Sequence, residues 1–147
     1  MVQISRQKPN REIEERIWEI FLSSLSQTQT LKEIAELVDD LLTPTEKIVL
    51  SKRMAIALMC IKGYDSAMIK DTLKVSGGTV SQIKSWLVRG GQGYKRAVDK
   101  ILKQEEIEKF LDQVNEFLYR LGYAKRLFEP NVLTSKQHSK RRVRKLI

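Results

Sequence analysis

The sequence predicts an all-α chain built around a helix-turn-helix, and three observations carry that expectation. Apolar residues recur at spacings of three and four along most of the 147 residues, and no period-two run bounded by turn residues stands out. Strong helix punctuation recurs, with Thr43-Pro44-Thr45-Glu46 as a start signal and Gly63 and Gly122 as stops. The span from Leu42 to Leu87 supplies an N-cap, a buried helix, a tight connection, a scaffold helix, a turn and a candidate recognition helix in one run. The expected layout is a loose arm at 1–9, one six-helix domain at 10–123 with its helix-turn-helix at about 66–88, and a basic, disordered tail at 124–147.

Each element has its own justification. Asn10 caps a first helix whose early Glu12, Glu14 and Glu15 suit the positive end of the helix dipole. Its stripe is Ile13, Ile17, Ile20, Phe21 and Leu25, with Trp18 alongside, and the polar segment Ser23 to Thr30 ends it. Leu31, Ile34, Leu37, Val38, Leu41 and Leu42 then mark a second helix. A third starts at the Thr43 capping box, with Pro44 at its first position, and runs to about Lys62. Its second half, MAIALMCI, is apolar on every side, and in so short a chain that predicts a subunit interface.

Gly63 closes the third helix, and Asp65 or Ser66 caps a fourth that runs to about Leu73, with Met68, Ile69 and Leu73 inward. Lys74-Val75-Ser76 makes the turn. A fifth helix begins near Gly77 or Gly78 and continues to about Val88, with Val80, Ile83 and Leu87 facing the core and Trp86 flanking. Arg89 to Tyr94 is a glycine-rich hinge or tight turn; it lacks the Lys-Ser/Thr and the preceding strand of a phosphate cradle. One long sixth helix is expected from Tyr94 to Leu121, bent or split at Gln104-Glu105-Glu106.

The formal charge of +9 is unevenly spread. Residues 62–103 hold nine basic side chains against three acidic ones, and residues 124–147 hold eight against one. Positive charge gathered on the reader region and the tail implies a polyanionic partner. Cys60 is the only cysteine, so an intrachain disulfide is impossible and a cysteine-based zinc site is excluded. It sits in an apolar run and reads as a structural thiol. No secretory leader stands at the start, and the longest apolar run, Met54 to Ile61, is too short to span a bilayer. A cytoplasmic protein is expected.

A helix-turn-helix works because a short scaffold helix props a second helix at a fixed angle, and the N-terminal residues of that second helix meet base edges in the major groove. Here Ile69, Leu73, Val75, Val80 and Ile83 can lock the pair, and the small Ser76, Gly77 and Gly78 let the backbone approach closely. Thr79, Ser81, Gln82, Lys84 and Ser85 offer donors and acceptors along the outer face. Gln pairs bidentately with adenine, Thr touches a thymine methyl, and Lys reaches guanine or phosphate. Lys70, Lys74, Arg89, Lys95 and Arg96 would hold the DNA backbone. The competing reading is a plain helical hairpin with solvated faces.

These residues resemble the Trp-repressor-like DNA-binding proteins. The resemblance covers roughly Leu41 to Leu102 and rests on LLTP, the basic-apolar helix with Arg53, Gly63, IKDTL, GGTVSQI and GGQGY. It implies an intertwined all-α homodimer on two operator half-sites, with Lys70 on phosphate and Gly78, Thr79 and Ser81 at the groove. The family's amino-acid pocket sets two arginines and a glycine against an indole. Arg53 matches the first arginine, but Gln82 stands for the second and Ile83 for the glycine. Loss of a guanidinium plane and gain of a branched side chain should close the pocket. No tryptophan response and no small-molecule corepressor are therefore expected, and Arg53 is free to pair with an acid or a phosphate.

The leading expectation is a sequence-specific double-stranded DNA-binding regulator, acting as a dimeric repressor. The alternatives are a replication-origin or mobile-element DNA-binding subunit, and an RNA-binding protein that uses the tail. An enzyme is not expected, nor a metal or cofactor: His138, the only histidine, lies in the tail without a partner, and the acids are spread along helix faces.

Overall fold

The computed structural model describes residues 10–128. Among these residues the fold is entirely helical, with eight helices rather than six: α1 (Arg11–Gln27), α2 (Leu31–Leu41), α3 (Pro44–Ile61), α4 (Ser66–Leu73), α5 (Gly77–Arg89), α6 (Gln92–Ile101), α7 (Glu105–Arg120) and α8 (Ala124–Phe128). The expected arm at 1–9 and most of the expected tail lie outside the described residues. The chain divides into two units, one ending at Lys47 and the other beginning at Ile48.

The first unit is set by its caps. Asn10 accepts from the Glu12 amide and starts α1. The helix passes through the serines expected to stop it, because Ser24 and Ser26 return their hydroxyls to the carbonyls of Ile20 and Ser23. It ends at extended Thr28. Thr30 and Glu33 form a capping box on α2; two backbone amides donate to Glu33 and hold its carboxyl below the usual range. The expected box at Thr43 and Glu46 is present, with the Thr43 amide donating to Glu46 at 2.8 Å. No residue of α1 or α2 is buried, and Ile17, Trp18 and Ile20 are each more than half exposed.

The second unit owns the core. Ile56, Ala57 and Met59 of α3 pack with Met68 and Ile69 of α4, Val80, Ile83 and Leu87 of α5, and Val114 and Leu118 of α7. Ile56, Ala57, Leu58 and Met59 of the apolar half of α3 are therefore buried by the chain itself, while Met54, Ala55, Cys60 and Ile61 keep partial exposure. The exposed apolar part of α3 is earlier, at Ile48, Val49 and Leu50. Cys60 packs against this core, and burial pushes its thiol pKa up, which keeps it unreactive.

Gly63 and Gly122 both terminate helices in the left-handed region, with Tyr64 and Tyr123 donating back to the carbonyls of Met59 and Leu118. The expected long sixth helix is two helices. Gln104 is extended, and Glu105, Glu106 and Glu108 occupy the first turn of α7, where acidic side chains favour a new N-terminus. α6 starts earlier than expected, at Gln92, behind the sharp Gly90-Gly91 link. A Cβ on Gly91 would lie 2.8 Å from the Leu87 Cα, and its φ is +57°, so the link requires glycine there on both counts. Ala124–Phe128, expected to begin the loose tail, is instead the short α8, which packs on α7 with Leu127 against the core. No helix among the described residues is long and apolar enough to cross a membrane.

Candidate nucleic-acid interface

The α4–α5 pair is built from its caps inward. Asp65 accepts from the Met68 amide at 3.0 Å and starts α4. Lys74 ends it in the left-handed region (φ 52°), a conformation that reverses the chain and that side chains seldom adopt. Ser76 then starts α5 by accepting from the Thr79 amide at 3.2 Å. Met68, Ile69, Val80 and Ile83 are all at or near zero exposure, and Leu73 and Val75 pack against them. The expected lock between scaffold and reader is thus in place.

With Val80, Ile83 and Leu87 buried, the opposite face of α5 carries Gly78, Ser81 and Gln82, all exposed, and half-buried Ser85. These positions fall at helical spacing and form one stripe. Gln82 makes no hydrogen bond to any described residue. Glycines 77 and 78 are not demanded by packing. A Cβ on Gly77 would come no nearer than 3.7 Å to another residue's atoms, and one on Gly78 no nearer than 3.8 Å. Two glycines in the first turn cost helix stability that the fold does not recover internally. A bare backbone at these two positions leaves room for a close approach from outside.

Not every expected contact residue is free. The Thr79 hydroxyl lies 2.9 Å from the Ser76 hydroxyl and belongs to the cap. Lys84 is half-buried and donates from Nζ to the Ser66 hydroxyl at 2.8 Å, which ties α5 to the first residue of α4. Its ammonium therefore points at the scaffold and not at the outer face. Lys74 holds its ammonium 5.8 Å over the Phe117 ring of α7. The exposed Lys70 runs its side chain beside the first turn of α5, where the helix dipole adds positive potential and favours an anion. Arg89 and Arg96 are exposed, and Lys95 is half-buried.

Two arrangements were not legible in the sequence. Among the described residues Arg53 meets no acid; its guanidinium lies 5.8 Å over the Trp86 ring. The back of α4 is also held by the C-terminal helices. Tyr123 donates to Asp71 at 2.5 Å, Arg126 pairs with Asp65 at 2.5 Å, and Arg126 lies over the Tyr123 ring. Tyr64 donates to Asn115 of α7 at 2.6 Å. Burial, with a smaller contribution from Asp112, pushes the Tyr64 phenol up to about 12 against the opposing Asn115 bond. No short motif marks partners that stand about fifty residues apart.

Compared with known proteins, residues 16–102 match the family model described as Trp repressor protein. No curated protein and no solved structure matches the chain. The family match ends before α7 and α8, so the helices that brace α4 from behind lie beyond it.

Proposed function

The chain belongs to the Trp repressor protein family, a family of helix-turn-helix DNA-binding regulators, and on that premise we propose that it is a dimeric repressor of transcription that reads double-stranded DNA and does not respond to tryptophan. The observation that carries this reading is the stripe of Gly78, Ser81, Gln82 and Ser85, left unpaired on a helix whose other face is buried. A plain helical hairpin has no use for two adjacent glycines and a free amide at that position.

Independence from tryptophan has two supports. Ile83, at the position of the family's pocket glycine, is 1% exposed and part of the core. The indole that would have to enter beside Arg53 has an internal competitor, because Trp86 already lies beneath that guanidinium. Dimerisation is supported by the apolar side chains that α1 and the start of α3 leave exposed.

The test is equilibrium binding of purified protein to duplexes enriched from a random pool. Replacing Ser81 and Gln82 with Ala should bring the enriched site down towards unrelated duplex while leaving the helical content unchanged. Equal binding of the enriched site by both proteins would reject the groove assignment, and preference for RNA of the same sequence would reject the duplex. Calorimetric titration with tryptophan should give no heat of binding; micromolar saturation would reject the closed pocket.

A further inference from the structure

Resting on the duplex-reading assignment, the geometry points to a narrower substrate: the half-site that α5 enters contains an A·T pair whose adenine is read by Gln82. Gly77 and Gly78 bring no side chain. The Thr79 hydroxyl is held by Ser76, Val80 and Ile83 are buried, and the Lys84 ammonium is bonded to Ser66. Ser81 is exposed but offers a single hydroxyl, which any base edge can satisfy. Gln82 is the first side chain on the helix that is both free and two-pronged.

The chemistry of a side-chain amide then selects the base. In the major groove adenine presents an acceptor at N7 beside a donor at N6. An amide meets that pair with its N–H and its oxygen together. Guanine presents two acceptors, O6 and N7, and calls for the two parallel donors of a guanidinium. The reader offers no such group where it would be needed. Its one arginine, Arg89, is the last residue of α5 and lies about 10 Å further along the helix axis than Gln82. Fixing Lys84 inward thus removes the cation that would otherwise compete for a guanine beside Gln82.

The experiment selects duplexes from a random pool with the full chain and with Gln82→Ala. The wild-type selection should yield a half-site with one dominant A·T pair, and Gln82→Ala should lose preference at that pair alone, by about 5- to 100-fold. Gln82 is exposed, so its replacement leaves the core intact. A second measurement needs no variant: 7-deazaadenine at the selected pair removes the N7 acceptor and should weaken wild-type binding several-fold without affecting Gln82→Ala. Enrichment of a G·C pair at the Gln82-sensitive position, or an unchanged site for Gln82→Ala, would overturn the adenine assignment while leaving duplex reading intact. Absence of any enrichment would overturn both.

Discussion

Gly77 and Gly78 occupy helical positions that Ala would fill without a clash. Replacing either with Ala should therefore stabilise the fold, by up to about 1 kcal/mol each, while weakening duplex affinity through the added methyl. Urea midpoints and binding isotherms on the same variants check this, and a variant that gains on both counts would deny the glycines a role at the interface. Tyr64 gives a pH dependence. Its folded pKa is raised above the unfolded value near 10, so its contribution to stability is complete below pH 10 and is lost as pH rises towards about 12. Tyr123 titrates in the same direction, because its donation to Asp71 raises its pKa. Urea midpoints should fall across that window, and Tyr64→Phe with Tyr123→Phe should flatten the fall. At this scale the sequence disclosed residue types but not their engagements. Gln82 and Lys84 look equally available in the string, and only the approach of Ser66, eighteen positions away, separates them.

Among the elements, those with local signals were legible. Asn10, the Thr43–Glu46 box, Gly63 and the two helices around Lys74 are fixed by residues within one turn of each other, and the structure has them where the sequence placed them. The misreadings occur where local and distant effects compete. The polar segment Ser23 to Thr30 reads as a helix stop, yet Ser24 and Ser26 bond back into α1 and the helix continues to Gln27. Gln104-Glu105-Glu106 allows either a bend or a split, and the structure has the split, at extended Gln104. Helix α8 is made largely of good helix formers but is only five residues long, too short to hold alone, and it is held by docking on α7 and by the Arg126–Asp65 pair at the start of α4. That docking is testable. Asp65 caps α4 and also pairs with Arg126, so Asp65→Ala should cost about 1–2 kcal/mol. Tyr123→Phe, which removes only the Asp71 bond, should lower the denaturation midpoint by less than Asp65→Ala does. Chemical denaturation of the two variants distinguishes a braced scaffold from an idle contact.

For the molecule as a whole, composition indicates the class and the charge segregation indicates the partner, while the largest exposed apolar side chains lie outside the segment that composition points to. The α3 segment MAIALMCI is apolar all round, yet the chain buries its centre, Ile56 to Met59; Ile13, Ile17 and Ile20, which read as ordinary stripe residues, are more than half exposed, as is Ile48. A second copy is the expected cover, so analytical ultracentrifugation should find twice the mass of one chain. Ile17→Asp with Ile20→Asp should return it to monomers while α4–α5 stays folded. A single-chain mass for the parent protein would overturn the dimer. The two tryptophans fall one to each unit, Trp18 in the first and Trp86 beside the reader in the second. The protein thereby carries its own pair of optical reporters. With Trp18→Phe, the remaining indole's emission should change when an enriched duplex is added. With Trp86→Phe, the other should respond to dilution instead, so docking and pairing can be followed separately without attaching a dye.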